Sequence, residues 1–424
     1  GDEKAIIAAF RRGEAVAGPA IAEFERQFAD YHYMENAIAT SYGRMAFYYI
    51  LRAFDFPQHS EIIFPALTFW AVPEMARRAG YKPVFVDVDP LTFNIDSHKI
   101  EAAITDQTRA IVPTHLYGRP CNMSKIMKIA DRNDLMVIED CAQAAGARHR
   151  GRLVGTFGDA SFFSFQMLKG INTYGGGMVM TNNPVLSSRV RAQTTAEPLP
   201  SAADVALRFS AGVVSRIGIS PKWFTFWGFP IQAGASVFGH YDLSRSIWEK
   251  IRPLDPFPSS YCQRYSNAQA LLGIRALAKL DEFNSRSRAH AISYSQGLAD
   301  CQSVKTPADV DSENVYYQFC IYVSDAGKAS RRAIRKGVDF ETMHVDVCSS
   351  LPLFREFAAH CPGAELTAKA LQLPVYSRLR DSDVARVLRV VREVTSDLAP
   401  LGTTNGATRF SAPDDLPRSS RARA

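Results

Sequence analysis

The chain of 424 residues is 46% hydrophobic, 11% aromatic and 22% charged, a balance that supports a large buried core and excludes a wholly disordered chain. Lys plus Arg number 49 against 43 Asp plus Glu; the surplus of +6 is spread along the chain, favours anionic ligands mildly, and gives no basic block of the kind that binds nucleic acid. Seven cysteines without a CxxC pair argue against a disulfide framework or a zinc site, and no run reaches the roughly 18 apolar residues of a membrane-spanning helix. The start, Gly1-Asp2-Glu3-Lys4, lacks the basic-then-apolar order of a signal peptide, so a reducing, cytoplasmic setting is expected.

From about residue 36 to 185, short apolar runs alternate with helical periodicity. Ile62-Ile63-Phe64, Pro83 to Val88, Ala110 to Pro113, Leu135 to Asp140 and Ala160 to Ser164 read as buried strands, and Val72 to Ala79 and Met123 to Asn133 as amphipathic helices. Such alternation predicts an α/β fold with a mainly parallel sheet covered by helices on both faces, its ligands beyond the carboxyl ends of the strands. Residues 186 to about 258 break the rhythm and read as loop-rich; Trp223, Phe224, Phe226, Trp227, Phe229, Phe238 and Trp248 fall there. This stretch suits either a helical excursion burying its aromatics or a docking surface for a greasy substrate, a carrier protein or a membrane. Asn267 to Phe283 predicts a helix with a long polar continuation, Val315 to Val323 a strand, and Arg331 to Gly337 and Val384 to Leu398 helices of a smaller α+β domain. The expected division is 1–189 for the large domain, 190–258 for the aromatic insertion, 259–400 for a linking helix and small domain, and 401–424 for a disordered tail.

Four segments carry candidate chemistry. Val137-Ile138-Glu139-Asp140 ends a strand in a carboxylate, which needs a cationic partner if buried and otherwise suits a helix cap. Ser164 ends the next strand, and five residues on Lys169 sits among Phe, Met and Leu before Tyr174 and a glycine run; in apolar company its amine becomes nucleophilic, whereas on an open loop it is a solvated cation. Ser41-Tyr42-Gly43-Arg44 opens a helix whose N-H groups suit a phosphate or an ordinary cap. Phe69, after a strand, suits ring stacking or core packing.

Taken in order, phosphate loop, aromatic, Asp140 with Gln143 three residues on, and Ser164 with Lys169 five residues on, the chain resembles the DegT/DnrJ/StrS aminotransferases, pyridoxal-phosphate enzymes that aminate keto-sugars. Phe24 to Ala29, Pro83 to Asp89, His115 to Gly118, Leu280 to Phe283 and Leu371 to Tyr376 fit the same family. The resemblance implies a fold-type I transferase with a seven-stranded-type sheet and a smaller C-terminal domain. It implies that Lys169 forms the Schiff base and moves protons, Asp140 pairs with the pyridinium nitrogen, and Gln143 binds the ring hydroxyl. It further implies that Phe69 stacks on the ring and that Ser164, Gly43 and Arg44 hold the phosphate. Arg264 is kept from a family segment in which Cys262 takes the place of an asparagine that reaches the neighbouring subunit. His115, Tyr174 and His344 are substrate-facing candidates. The implied partners are an amino donor, glutamate or glutamine, a keto or aldehyde acceptor, pyridoxamine phosphate as the cofactor's other form, and a second copy in a homodimer with shared active sites.

Other chemistry on the same fold (dehydration, decarboxylation or carbon-carbon bond formation) and a non-catalytic partner subunit are the competing readings. Lys169 disfavours the related sugar dehydratases, which carry histidine there. No HExxH spacing or GxSxG elbow is present, so neither metal catalysis nor serine hydrolysis is expected.

Overall fold

The computed structural model describes residues 2–218, 226, 229–230, 250–306, 313–341 and 345–401. Its centre is a seven-stranded sheet of β1 (Asn36–Thr40), β2 (Glu61–Pro65), β3 (Lys82–Val86), β4 (Thr108–Ile111), β5 (Met136–Asp140), β6 (Ala160–Ser164) and β7 (Gly177–Thr181), in the spatial order β1-β7-β6-β5-β4-β2-β3. The run from β6 to β3 is parallel, and β7 pairs antiparallel with both β6 and β1. The carboxyl ends of β1, β5 and β6 and the amino end of β7 therefore share one edge, which gathers Ser41, Asp140, Ser164 and Gly177.

Strand alternation divides the core. Ile38, Phe64, Ile138, Phe162 and Val179 face α3 (Gly43–Phe54) and α4 (Ala71–Arg78), whose Phe47, Ile50 and Met75 interleave with them. On the other face, Ala37, Phe163, Met178 and Met180 meet Phe24 and Phe28 of α2 (Ala20–His32), while Ile63, Ile111 and Val137 meet Ile126 and Ile129 of α5 (Met123–Arg132). Both faces are covered, which is why these strands read as continuous apolar runs rather than alternating ones.

The helix ends follow local chemistry. Asn122 caps α5, and Asn183 with Pro184 behind it starts α6 (Pro184–Ala196). The expected helix from Asn267 to Phe283 is two helices: α8 (Asn267–Leu277), opened by a Ser266/Gln269 capping box, and α9 (Leu280–Gly297), separated by a break at Ala278 and Lys279. The small domain packs α9 with β8 (Phe319–Ile321), α10 (Ala326–Arg335), β9 (Leu371–Leu373) and α12 (Asp381–Thr395) around Tyr294, Phe319, Phe340 and Val391; a short helix, α11 (Pro362–Thr367), precedes β9. The strand expected over Val315 to Val323 is confined to Phe319–Ile321, because Val315 and Tyr317 spend their N-H groups on Gly118 and Tyr117 of the large domain, each at 3.0 Å.

Most of residues 186 to 218 is helical rather than loop-rich, in two helices joined by a short link at 197–201. The helix α6 lies across the expected boundary at 189 and packs on β1 and α3, so it belongs to the large domain; α7 (Ala202–Gly218) buries Val205 and Phe209 beside Ile6 of α1 (Asp2–Arg11) and Leu272 of α8. Of the aromatic insertion, Trp223, Phe224, Trp227, Phe238 and Trp248 lie outside the described residues, as does the tail beyond Leu401.

One close approach fixes the functional edge. A Cβ on Gly177 would stand 2.6 Å from the backbone of Gly43, and one on Gly43 would stand 2.8 Å from Ser164 Cβ. Only glycines let the start of α3 sit against the ends of β6 and β7. Gly177→Ala is expected to lower stability by about 2–3 kcal/mol, read as a drop in chemical-denaturation midpoint at constant slope.

Candidate active site

The edge presents a lysine and a carboxylate whose environments oppose their charges. Asp140, at the carboxyl end of β5, is 3% exposed; its Oδ1 accepts from Ala142 N at 3.0 Å, and Thr114 adds a hydroxyl. No cation among the described residues lies within ion-pair distance of it, and burial pushes its carboxyl up to about 6, against the pull of that N-H and of Lys169 and His115. Lys169 lies in the turn after β6. Its backbone N donates to Gln166 O at 2.9 Å, and Phe165 pins the turn by donating to Gly176 O at 2.9 Å and accepting from Thr173 N at 3.0 Å and Gly175 N at 3.1 Å. Its ammonium sits 4.4 Å from the centre of the Tyr317 ring. Desolvation brings the amine down to about 8, with Asp140 acting the other way.

Gln143 follows in the turn after β5, and its Oε1 accepts from Tyr117 N at 2.8 Å, which leaves the amide N-H₂ as the end able to donate outward. Tyr117 itself holds a left-handed φ of 56° and ties the small domain in, its hydroxyl accepting from Gln372 Nε2 at 3.0 Å. Phe69 and Trp70 separate: Trp70 is fully buried, whereas the half-buried Phe69 lies 5.1 Å from the Arg44 guanidinium.

The opposite end of the site is the first turn of α3. Tyr42, at the cap position, supplies no side-chain acceptor to the N-H groups there, and its backbone bridges to Gly176. Ser164 lies against this turn, and its hydroxyl makes no hydrogen bond to the described residues. Arg44 donates to the Tyr261 hydroxyl and lies 5.0 Å from that ring, and Ser41 Oγ donates to Tyr261 O. The segment containing Cys262 thus packs on its own chain's α3.

Several expected residues fall elsewhere. His115 is 0% exposed; its Nδ1 accepts from Cys121 N at 3.0 Å and its Nε2 lies 3.0 Å from Glu139 Oε2, so neither nitrogen is left for a substrate. Tyr174 turns away, its ring edge-on to Phe209 of α7 at 5.7 Å. Arg264 is exposed, with its backbone N on Pro198 O and no side-chain polar contact among the described residues. His344 lies outside the described residues.

Four residues near the site were not singled out from the sequence. Glu139, on the opposite face of β5 from Asp140, accepts from Gly155, Phe157 and Gly158 N-H groups at 2.8, 2.7 and 2.9 Å and with His115 fastens the loop beneath β5. His115, Glu139 and the nearby Cys141 have metal-ligand composition, but Glu139 is already filled by these N-H donors. Two successive carboxylates in a strand covered on both faces each require donors, a signal present in Glu139-Asp140. Tyr317 over Lys169, Tyr261 over Arg44, and Arg208 of α7, 5.6 Å from the Tyr42 ring, arrive through long-range packing and leave no local pattern.

The doubly covered α/β sheet thus brings a desolvated lysine, a buried carboxylate and an open helix start to one edge. The chain belongs to the DegT/DnrJ/EryC1/StrS aminotransferase family, whose model it matches over residues 2–392. It is 30% identical to a GDP-perosamine synthase of Caulobacter vibrioides over 393 residues, covering 89% of this chain and 90% of that one. It is likewise 30% identical to a pleiotropic regulatory protein of Geobacillus stearothermophilus over 391 residues, 90% and 91% of the two chains. Among solved structures, that of S. venezuelae DesV in complex with a ketimine intermediate superposes with a TM-score of 0.73 at 27% identity, over 92% of this chain and 93% of the other.

Proposed function

We propose that this aminotransferase uses pyridoxal 5′-phosphate to take an amino group from an amino acid, glutamate or glutamine, and pass it to the keto or aldehyde group of a sugar, a cyclitol or a related natural-product intermediate. The observation that carries the reading is Asp140: a buried carboxylate at a strand end, held at about 6 and without an ion-pair partner among the described residues, fits a cationic ring nitrogen. The remaining donors fit the same group. Lys169 supplies a desolvated amine, Gln143 an amide N-H₂ beside it, and Ser164 with the α3 N-terminus a phosphate seat that a Cβ at Gly43 would fill. Bound there, the cofactor would supply an electron sink for the bond breaking at the amino donor's Cα.

In this reading Lys169 Nζ anchors the aldehyde and moves the Cα proton, Asp140 keeps the ring nitrogen protonated, and Gln143 orients the ring through its hydroxyl. Phe69 supplies a stacking face. Arg44 closes the phosphate end, and the aromatic packing around it excludes water. A homodimer is part of the proposal and is checked by the mass in solution.

The test is a half-reaction. L-Glutamate or L-glutamine added to the loaded protein without acceptor converts its visible absorbance to that of the amine form, with one equivalent of keto acid released per site. A loaded protein whose spectrum no amino acid alters contradicts transamination. A pH dependence follows from Lys169. Only the neutral amine attacks an aldehyde, so loading of the cofactor-free protein is expected to accelerate about tenfold per pH unit below about 8 and to level off above it, in stopped-flow absorbance. An ordinary lysine would show no plateau until near 10.5.

A further inference from the structure

The helix α7 is docked on the turn that carries Lys169. Its Val205, Phe209 and Gly212 point inward, with Phe209 edge-on to Tyr174 and Gly212 giving way to that ring, whereas Leu207 and Val214 are exposed. This docking sets the half-buried Arg208 beside the site. Its Nη1 lies 2.5 Å from where a Cβ on Gly175 would stand, and its guanidinium is 5.6 Å from the centre of the Tyr42 ring. Tyr42 and Gly175 belong to the two strips of backbone that build the phosphate seat: Tyr42 precedes Gly43 and bridges to Gly176, and a Cβ on Gly177 would meet Gly43. The Arg44 guanidinium is also 5.6 Å from the Tyr42 ring, so two cations share one tyrosine. Arg44 donates to the Tyr261 hydroxyl, whereas Arg208 makes no ion pair or hydrogen bond among the described residues. Like charges this close repel, and the ring offsets only part of the cost of drawing a guanidinium from water; an anion at the seat would offset the rest.

We infer that Arg208 is a phosphate-binding residue of this site, its guanidinium taking a phosphoryl group at or beside the seat formed by Gly43 and Ser164. A guanidinium presents paired, coplanar N-H donors that match two oxygens of one phosphoryl group, and a half-buried one binds more strongly than a fully solvated arginine. The other donors at the seat, the first N-H groups of α3 and the Ser164 hydroxyl, suit an anion with three terminal oxygens better than a carboxylate with two. Such a group has two sources, the 5′-phosphate of the cofactor and a phosphoryl group carried by the acceptor. The inference rests on the proposed function for the identity of these ligands. It gives the first helix of the 190–258 stretch a part in ligand binding, through a charge that reaches the sheet edge only because α7 folds back onto Tyr174.

The test compares the wild type with Arg208→Gln and Arg208→Lys, as full chains freed of cofactor, in absorbance titrations with pyridoxal 5′-phosphate and with pyridoxal, which lacks the phosphate. Arg208→Gln is expected to weaken pyridoxal 5′-phosphate at least about tenfold and pyridoxal not at all, with Arg208→Lys in between. Pyridoxal is the control for folding, because a disturbed site would lose both. Calorimetry with inorganic pyrophosphate on the loaded protein separates the second source: unchanged loading with about tenfold weaker pyrophosphate binding assigns the phosphoryl group to the acceptor. Equal weakening of pyridoxal 5′-phosphate and pyridoxal, or unchanged binding of pyridoxal 5′-phosphate and pyrophosphate alike, overturns the inference. A wild type that takes up neither aldehyde contradicts the proposed function instead. The inference then stands only if inorganic phosphate binds that protein and Arg208→Gln weakens the binding about tenfold, and falls otherwise.

Discussion

Lys169→Ala is expected to lower turnover by about 10,000-fold or more while leaving the fold intact, measured as keto-acid release per site beside far-ultraviolet circular dichroism. Under the proposed reaction two losses combine: the anchoring amine and the base that would move the Cα proton. The fold should tolerate the change, because the turn is held by the backbone of Gln166, Phe165 and Gly176 and by buried Phe165, not by the lysine side chain. The exchange also removes an amine that burial holds down at about 8, so stability below that pH should hold or rise. Lys169→Arg separates the two roles of charge and chemistry: it keeps a cation opposite Asp140 but supplies no nucleophile, and it should be as inactive as the alanine variant. Substantial activity in either variant would assign the chemistry to another residue.

Asp140→Asn is expected to reduce turnover about 100- to 1,000-fold and to make the cofactor-free protein no less stable. Under the proposed reaction, the activity loss follows from removing the charge that would hold a proton on the ring nitrogen. The stability statement follows from the sign of the shift. In the folded chain the carboxyl stands at about 6 against an ordinary 3.8, so ionising it costs about 3 kcal/mol in the native state. Stability contributed by the protonated form is complete below pH about 4 and is lost as pH rises through 6. Asparagine removes that dependence, so the wild-type thermal midpoint should fall between pH 4 and 6 relative to the variant's. A variant less stable than wild type at neutral pH would mean that Asp140 serves the fold through Ala142 and Thr114 rather than the ring.

Much of this arrangement is legible in the sequence because it is local. Strands buried on both faces leave uninterrupted apolar runs, and their last residues, Asp140 and Ser164, mark the functional edge without any three-dimensional information. The spacing from Ser164 to Lys169 is likewise local, being one pinned turn. What the sequence hides is set by contacts between distant segments. His115 and Asp140 follow similar strands, yet His115 is consumed by Cys121 and Glu139 while Asp140 has no ion pair among the described residues. Tyr174 neighbours the lysine turn but is drawn aside by α7, because Gly212 leaves room for its ring: a Cβ there would stand 2.4 Å from it. Tyr317 reaches Lys169 from about 150 residues away, through backbone bonds to Tyr117 that no periodicity announces. The helix α7 was obscured because apolar residues on two opposite faces blur the single stripe by which an amphipathic helix is recognised.

The proposed reaction requires that Lys169 carry the cofactor. Borohydride reduction of the loaded protein, followed by digestion and peptide mass spectrometry, fixes the aldehyde on the amine that holds it. A single modified site at Lys169, absent when the protein is reduced before the aldehyde is added, is the result predicted here. Modification of any other lysine at one equivalent per chain, or no stable modification at all, would contradict it.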